Sequence, residues 1–145
     1  MQNVPRREKG SMQEILKKLR FVGQKRVLVM HVPGELSDLP RALLDAEASV
    51  ETIPAGAYRW SIVFVKNLDE ARELRGIADR LIENDGILWL AHPKKGSKRY
   101  DTDITRDTIW PLFRDSPVRP VAQVAIDDDW SALRMRKAEY VSAGS

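Results

Sequence analysis

The sequence of 145 residues contains no cysteine, which excludes disulfides, thiolate nucleophiles and every metal site built on cysteine. Long hydrophobic runs are also missing. The longest, residues 27–30 and 87–91 among them, are far shorter than the roughly 20 residues that cross a bilayer. The N-terminus is polar and holds no signal-peptide core. We therefore expect a cytoplasmic protein without membrane association.

Glycine is missing where a nucleotide-binding turn would need it. The loop after the first apolar run, HVPGELSD, has a single glycine, whereas a dinucleotide site needs G-x-G-x-x-G and a P-loop needs G-x-x-x-x-G-K-[ST]. The second apolar run, residues 50–53, is followed by Pro54, Ala55 and Gly56, so no acidic residue is predicted to end it and bind ribose hydroxyls. These absences argue against NAD, ATP or S-adenosylmethionine bound in the standard way, and we expect no cofactor.

Groups for catalysis and metal binding are few. The only histidines, His31 and His92, each lie at the end of a predicted strand. A shared site is one interpretation, and two unrelated histidines bonded to backbone are the commoner outcome. A metal there would need Glu35 or Asp38 as further ligands. The three aspartates at 127–129 share one tight turn and cannot all face one ion. No G-x-S-x-G elbow supports serine hydrolysis, so we predict no metal and no catalytic residue.

The basic charge is concentrated at one end of the chain. The isoelectric point is about 9.3, yet residues 1–26 hold eight Lys and Arg against two Glu, whereas residues 27–145 hold sixteen against nineteen Asp and Glu. A nucleic-acid-binding domain more often carries its basic residues on a folded face. We therefore interpret the N-terminal segment as a solvated tail, with nucleic acid or anionic lipid as the alternative partner.

Apolar periodicity divides the chain into alternating strands and helices. Ser11 and Glu14 form a predicted capping box, Ser37 is a predicted N-cap, and Asp103 or Thr105 is expected to cap the last helix. Asp85 and Gly86 are predicted to stop the third helix. Predicted helices span residues 11–22, 36–46, 68–84 and a segment ending at 113, and predicted strands span residues 26–32, 50–53, 60–65, 87–91, 121–126 and 130–135.

Continuous apolar strands that alternate with amphipathic helices are typical of strands covered on both faces. The prediction is one α/β domain, residues 11–137, with a three-layer, Rossmann-like, mostly parallel sheet and a C-terminal antiparallel β-hairpin. Residues 1–10 and 138–145 are predicted to be flexible tails. The link between the second and third strands has about six residues, too few for an ordinary parallel crossover. Either that second strand is not parallel, or the crossover helix has been lost.

Ligands of open α/β sheets bind outside the carboxyl ends of the strands, so three loops are expected to line a crevice: residues 31–36, 66–68 and 92–103. His31, Gly34, His92 and Asp103 are the crevice candidates. The basic loop that follows Pro93 lies beside a predicted helix start, which favours an anion site. The residues proposed to bind that anion are Lys94, Lys95, Lys98, Arg99 and Arg106. The alternative is a solvated loop, and Trp89 and Trp130 are expected in the core.

The segments DGILWLAHPKKGSKRYDTDITRDTIWPLF and PVAQVAIDDDWSALRMRK resemble an uncharacterised bacterial family, the domain of unknown function numbered three thousand and fifty-two, or a close relative. The resemblance is specific over residues 85–137, weaker over residues 24–65 and absent before residue 11. It implies a layout like the C-terminal half of class I methyltransferases without the glycine-rich cofactor turn. The positions that match the family's pattern are Trp89, Pro93, Lys94, Asp103, Arg106, Asp107, Asp127, Trp130, Ser131 and Arg134.

These observations favour a non-catalytic binding or interaction module that recognises a small anionic, phosphate-bearing ligand or a protein partner. The first alternative is a divergent S-adenosylmethionine-dependent methyltransferase, which would need Glu35 or Glu51 as its ribose carboxylate. The second alternative is a nucleic-acid accessory protein that uses Lys17, Lys18 and Arg20 of the basic N-terminal segment. Nucleic acid is not the expected partner, and a homodimer is compatible with the sequence.

Overall fold

The computed structural model describes residues 9–141, with side chains from residue 11 onward. The predicted tail at residues 1–10 therefore falls almost entirely outside the described residues, as does its C-terminal counterpart from residue 142 onward. Ala138–Tyr140 form a short 3-10 helix. The helices are α1 (Lys9–Lys18), α2 (Asp38–Asp45), α3 (Leu68–Leu81) and α4 (Arg106–Leu112), and the strands are β1 (Arg26–Met30), β2 (Ser49–Glu51), β3 (Tyr58–Phe64), β4 (Ile82–Pro93), β5 (Val118–Ala125) and β6 (Trp130–Lys137).

The six strands form one sheet in the order β2-β1-β3-β4-β6-β5. The first four are mutually parallel, and β6 lies antiparallel between β4 and β5. The predicted mixed α/β sheet with a closing antiparallel hairpin is thus confirmed. Asp127 accepts hydrogen bonds at Oδ1 from the backbone N–H groups of Asp129 and Trp130, which closes the hairpin turn.

Helices cover both faces of the sheet, as the continuous apolar strands predict. The face that carries Trp60 and Trp89 packs against α1 and α2, and the opposite face packs against α3 and α4. The indole Nε1 atoms of Trp60 and Trp89 both donate to the carbonyl oxygen of Leu19, at 2.8 and 2.7 Å. Both tryptophans are buried, and their shared acceptor fixes the end of α1 over β3 and β4.

The short link from β2 to β3 contains no helix, and β2 is nevertheless parallel to β1. The few residues of the link suffice because β2 has only three residues. The chain therefore has to run back only a short distance along the sheet when it crosses β1 to begin β3. Arg26 holds this link in place. Its guanidinium donates to Glu51 at 2.7 and 3.0 Å and to the carbonyl oxygens of Ala55 and Ala57 at 2.6 and 3.0 Å. The lost-helix interpretation is correct.

The predicted stop of the third helix was placed too late. Helix α3 ends at Leu81, and Asp85 and Gly86 lie inside β4, where the pairing with β3 is irregular. A Cβ on Gly86 would lie 2.8 Å from the carbonyl oxygens of Tyr58 and Glu83. Glycine is therefore needed at this position for close packing of backbone against backbone, a role that local sequence patterns do not distinguish from a turn.

Two of the predicted caps are wrong and one is correct. Helix α1 begins at Lys9, so Ser11 lies inside it and forms no capping box with Glu14. Ser37 occupies the N-cap position of α2, but its side chain makes no capping hydrogen bond. Thr105 caps α4, and its hydroxyl oxygen accepts a hydrogen bond from the N–H of Thr108. The hydroxyl oxygen of Thr108 in turn accepts a hydrogen bond from the N–H of Thr105.

Candidate functional site

The carboxyl ends of β1, β3 and β4 meet at one edge of the sheet, and the loops that follow them contain residues 31–37, 65–67 and 94–105. From β1 the chain passes through α2 on one face, and from β3 it passes through α3 on the other. The order of strands therefore reverses between β1 and β3, the position at which open α/β sheets bind ligands. We call this region the ligand edge.

A carboxylate lies at the centre of the ligand edge. Glu35, on the loop after β1, accepts hydrogen bonds at Oε2 from the Tyr100 hydroxyl at 2.5 Å and from Nε1 of Trp130 at 3.1 Å. The ring of Trp130 makes edge contacts with Phe64 and Tyr100, at 5.3 and 5.1 Å between centroids. These contacts join the loops after β1 and β4 to the start of β6 above the end of β3.

The two acidic groups of this cluster are held in opposite protonation states. Burial alone would raise the pKa of Glu35, but the hydrogen bonds from Tyr100 and Trp130 outweigh it and hold that pKa below its ordinary value. Burial and the bond to Glu35 raise the pKa of Tyr100 to about 12. At neutral pH the cluster therefore contains a carboxylate beside a neutral phenol.

An outer ring of polar groups surrounds the cluster more loosely. Nε of Arg99 lies 3.9 Å from Oε2 of Glu35 and 3.5 Å from Oδ2 of Asp129, and its side chain is 56% exposed. Ser97 donates to Asp129 at 2.7 Å and accepts from the N–H groups of Arg99 and Tyr100, which orders the loop after β4. Lys66 lies over the Tyr100 ring at 5.7 Å.

A pocket of about 340 Å³ opens beside this cluster, between the end of β1 and helix α3. Its floor is apolar, with Met30, Val63 and Ile77, and its rim carries Glu70 and Glu73. Glu70 also accepts a hydrogen bond from the N–H of Lys66 at 2.8 Å. The remaining lining residues are His31, Phe64, Val65, Lys66 and Leu74. The carboxylates of Glu70 and Glu73, with that of Glu35 in the neighbouring cluster, therefore outnumber the one lysine of the pocket lining, Lys66.

The structure separates the two histidines. β3 lies between the strands that carry His31 and His92, and only His31 lines the pocket. His31 has a backbone φ of 62°, a left-handed conformation at the start of the loop. His92 is 6% exposed within β4, where its Nδ1 lies 2.9 Å from the carbonyl oxygen of Pro93. Burial also lowers the pKa of His92. Because β3 separates the two histidines, the shared-site interpretation has no geometric basis, and the backbone-bonded alternative describes His92.

The predicted anion-binding residues do not converge on one point. Arg99 faces Glu35 and Asp129, and the Arg106 guanidinium lies 5.3 Å above the Trp110 ring on α4. Lys95 and Lys98 are exposed on the loop, and Lys94 is half-buried, with its backbone N–H donating to the carbonyl oxygen of Asp129. An anion site made of all five residues stays a prediction. The contacts of Arg99 and Arg106 do not favour it.

The other predicted positions have contacts of a supporting kind. Asp103 accepts from the N–H of Leu68 at 2.9 Å, which joins the loop after β4 to the start of α3. A Cβ added at Gly34 would meet no atom within 4 Å. Trp89 and Trp130 are buried, as expected. Ser131 is buried, Pro93 ends β4, Asp107 is exposed in the first turn of α4, and Arg134 is half-buried on β6.

One absence inferred from the sequence is wrong. Strand β2 ends at Glu51 rather than at Ile53, so an acidic residue does end the second strand. Glu51 is nevertheless engaged, since it accepts from Arg26 and from the hydroxyl of Tyr58. It is therefore a poor candidate for ribose hydroxyls. The Glu51 side chain is 27% exposed and that of Glu35 is 23% exposed, so position at the ligand edge, not exposure, favours Glu35.

Sequence reasoning named Glu35 but missed Tyr100, Ser97 and Asp129. The bond between Glu35 and Tyr100 joins residues 65 positions apart, and the bond between Ser97 and Asp129 joins residues 32 apart. No local pattern identifies such partners. The available signal was topological: all four residues follow or precede strands that end at one edge.

No protein-family model and no curated protein matches the sequence. Solved structures do match the fold. A SAM-dependent methyltransferase from Aquifex aeolicus is 12% identical with a TM-score of 0.56, over 88% of this chain and 89% of its own. The N-methyltransferase NodS from Bradyrhizobium japonicum WM9 is 12% identical with a TM-score of 0.55, over 89% and 95%.

A third match is N-methyltransferase 2 of Haemonchus contortus, in complex with phosphomonomethylethanolamine and S-adenosylhomocysteine. It is 13% identical with a TM-score of 0.56, and the match covers 91% of this chain and 39% of that one. At these identities the likeness shows the fold alone. The chain has the Rossmann-like fold of these methyltransferases, as the layout of its strands indicates.

Within residues 9–141, the structure contains no helix long and apolar enough to cross a membrane. The same residues contain no group of three or more His, Asp and Glu side chains arranged to hold a metal ion.

Proposed function

We propose that this chain is a divergent S-adenosylmethionine-dependent methyltransferase whose cofactor binds at the ligand edge. The observation that carries the proposal is the pocket beside Met30 and His31, which lies at the reversal of strand order and has an acidic rim. The shared fold of the three methyltransferases supports it. It also makes the non-catalytic module, our expectation from the sequence, the weaker of the two functions.

The residues of the pocket fit this cofactor better than they fit a nucleotide. S-adenosylmethionine carries no phosphate, so a glycine-rich turn that cradles pyrophosphate is not required. Its sulfonium and ammonium groups are cations. The carboxylates of Glu70 and Glu73 on the rim, and that of Glu35 in the neighbouring cluster, would attract them. The apolar floor formed by Val63 and Ile77 suits a purine ring. A dinucleotide or ATP would bring negative charge to an acidic rim.

Specific roles follow from these positions. Glu70 and Glu73 would hold the ribose hydroxyls or the ammonium group, and Met30 with Val63 would contact the adenine. Glu35 would stabilise positive charge, because its hydrogen bonds keep it ionised. The bound cofactor supplies a methyl group on sulfonium sulfur. The neutral phenol of Tyr100 and the carboxylate of Glu35 would orient the acceptor substrate, and the buried ring of Trp130 would hold these two side chains in place.

Calorimetric titration tests the proposal directly. S-adenosylmethionine and S-adenosylhomocysteine are expected to bind, and ATP is expected to bind more weakly. Glu73→Gln removes one exposed carboxylate from the rim. This should weaken the binding of S-adenosylmethionine by about fivefold, the effect of one unit charge about 4 Å away in a water-like dielectric. Asp79→Asn makes the same charge change on α3 outside the pocket and should leave binding unchanged. No binding of either adenosyl compound at millimolar concentration would overturn the proposal.

The second candidate is a module that binds the cofactor without transferring its methyl group. The cluster of Glu35, Tyr100 and Trp130 favours it, because these side chains bond to one another over the end of β3, where an acceptor would have to approach. Incubation with S-adenosylmethionine carrying a tritiated methyl group, together with a small-molecule cell extract, distinguishes the two. Labelled product supports the enzyme, and tight binding without labelled product supports the module.

We also infer that the chain is related to the uncharacterised bacterial family that its C-terminal half resembles. The specific stretch, residues 85–137, contains most of β4 and all of α4, β5 and β6. It therefore includes one wall of the ligand edge and the reversed strand. We also propose a cytoplasmic location, with which the absence of cysteine is compatible.

A further inference from the structure

Three arginines gather on the sheet face that packs against α1, away from the ligand edge. Arg134 and Arg136 are two residues apart on β6, so their side chains lie on the same face of the sheet. Arg20 directly follows Leu19, the residue whose carbonyl accepts from Trp89. Trp89 is in turn the register partner of Arg134. The end of α1 and the middle of β6 are thereby brought together.

The cluster has too little negative charge for its three cations. Asp85 is the carboxylate that faces it, and Arg136 occupies both of its oxygens, with Nε to Oδ1 at 2.8 Å and Nη2 to Oδ2 at 2.7 Å. The Nε atom of Arg134 is buried and has no hydrogen-bond partner among the described residues. A buried guanidinium donor without an acceptor costs free energy, which an oxyanion would recover.

The neighbouring groups increase the positive potential. Burial lowers the pKa of Arg134, and the charges of Arg20 and Arg136 lower it further. On the next strand, Arg119 is the register partner of Arg136, an arrangement in which like charges oppose each other. Arg20 itself has a left-handed backbone conformation, with φ of 61°, just after the end of α1.

We propose that Arg20, Arg134 and Arg136 form a binding site for a phosphate group, separate from the ligand edge. Guanidinium groups match phosphate oxygens by paired hydrogen bonds. The phosphate belongs either to a small phosphorylated molecule or to the backbone of a nucleic acid, because both present the same oxygens. Lys18 extends the basic surface beyond the arginines, its Nζ donating to the carbonyl oxygen of Ala125 at 2.7 Å.

The test measures binding of inorganic phosphate and pyrophosphate to the full chain at low salt, by calorimetry. Arg134→Gln should weaken both anions by about tenfold, since it removes charge-assisted hydrogen bonds. Arg80→Gln makes the same substitution at an exposed position on α3, on the opposite face of the sheet, and serves as the matched control, with affinity unchanged. Equal weakening by the control variant and by Arg134→Gln would overturn the proposal, as would an absence of binding to the unmodified chain.

A second variant separates binding from folding. Asp85→Asn removes the carboxylate that competes for Arg136 and should tighten pyrophosphate, although it lowers stability. A purely structural cluster predicts lower stability with no gain in affinity, and that result would contradict the site. If Arg134→Gln fails to fold, the exposed Arg20→Gln replaces it, with a weaker but measurable loss of affinity expected.

The source of the phosphate is decided by a short single-stranded oligonucleotide without a terminal phosphate. Binding that is lost in Arg134→Gln, displaced by pyrophosphate and reduced by salt identifies a nucleic-acid backbone. Binding of pyrophosphate without binding of the oligonucleotide identifies a small phosphorylated molecule. Binding of the oligonucleotide that survives Arg134→Gln places it elsewhere on the chain and contradicts the proposed site.

Discussion

Two clusters contain the same three residue types, a glutamate, a tyrosine and an arginine, yet they differ in how fully they are bonded. Around Glu51, at the end of β2, Arg26 binds the carboxylate through two nitrogens and also binds two backbone carbonyls. Around Glu35, at the ligand edge, Arg99 stays at 3.5 Å or more from its two carboxylates. The first cluster fixes the link between β2 and β3. In the second cluster, the Arg99 side chain stays largely exposed and loosely paired.

The difference separates polar groups that hold the backbone from polar groups that, under the proposed function, are kept for a ligand. Both glutamates have a pKa below the ordinary value, for the same kind of reason, namely hydrogen bonds that favour the carboxylate. A lowered pKa therefore does not by itself distinguish the two roles. The number of backbone contacts does, because only the Glu51 cluster holds main-chain carbonyls that would otherwise lie unsatisfied near the crossover.

The largest effect should come from the backbone contact near the Glu51 cluster. Gly86→Ala places a Cβ 2.8 Å from two backbone carbonyl oxygens, so β3 and β4 must move apart, with a loss of about 1–3 kcal/mol in the free energy of unfolding. Gly96→Ala, on the loop after β4, meets no atom within 4 Å and should change stability by less than about 0.5 kcal/mol. Urea unfolding measures both. Similar losses for the two variants would show that backbone packing does not distinguish the surroundings of the Glu51 cluster from those of the Glu35 cluster.

A matched pair of hydroxyl deletions should give the next largest effect. Tyr58→Phe removes a bond to Glu51 and the acceptor of the N–H of Ala55, and should cost about 1–3 kcal/mol of unfolding free energy. Tyr100→Phe removes one bond, and Glu35 keeps the donor Nε1 of Trp130, so the loss should be smaller. The reverse order in urea unfolding would mean that the ligand edge, not the crossover, stabilises the fold.

The smallest effect on stability, and the sharpest spectroscopic one, concerns the ionisation of Tyr100. Its pKa of about 12 lies above the ordinary 10.0, so the folded chain favours the neutral phenol. The corresponding stability is fully present below pH 10 and is lost as the pH rises through 12. Tyrosinate absorbance should show a late-titrating phenol that disappears in Tyr100→Phe. An unchanged titration curve in that variant would contradict the assignment.

Much of the fold was predictable because it depends on local pattern. Apolar runs of strand length and helical stripes predicted the six strands and four helices, and Thr105 was recognisable as a cap. Element ends were less predictable. The stop signal at Asp85 and Gly86 has the chemistry of a turn, yet close approach of β3 to β4 requires the glycine inside a strand. Helix α1 begins at Lys9, two residues before the predicted start, and this was not predictable because Ser11 has the chemistry of a cap.

The site was predictable only as an edge. Strand order and loop position indicated where a ligand would bind, but the partners of Glu35 come from two other loops, and their contacts have no signature in sequence. The basic stretch after Pro93 suggested an anion cradle. In the folded chain, Arg99 turns toward carboxylates and Arg106 stacks on Trp110, so charge along the sequence did not translate into charge at one point.

The sequence by itself determined the α/β alternation, the burial of its strands, the loss of the crossover helix as one of two alternatives, and the absence of a glycine-rich turn. Hydrophobic periodicity and backbone geometry act over a few residues, so they are visible in the chain. Tertiary structure decided that Glu51 binds the arginine that holds two backbone carbonyls, that Glu35 binds Tyr100 and Trp130 at the ligand edge, and that Arg20 meets Arg134. Those outcomes depend on side chains that are far apart in sequence and come together only on folding. The packing of Trp60 and Trp89 against Leu19 and the order of the strands bring them together.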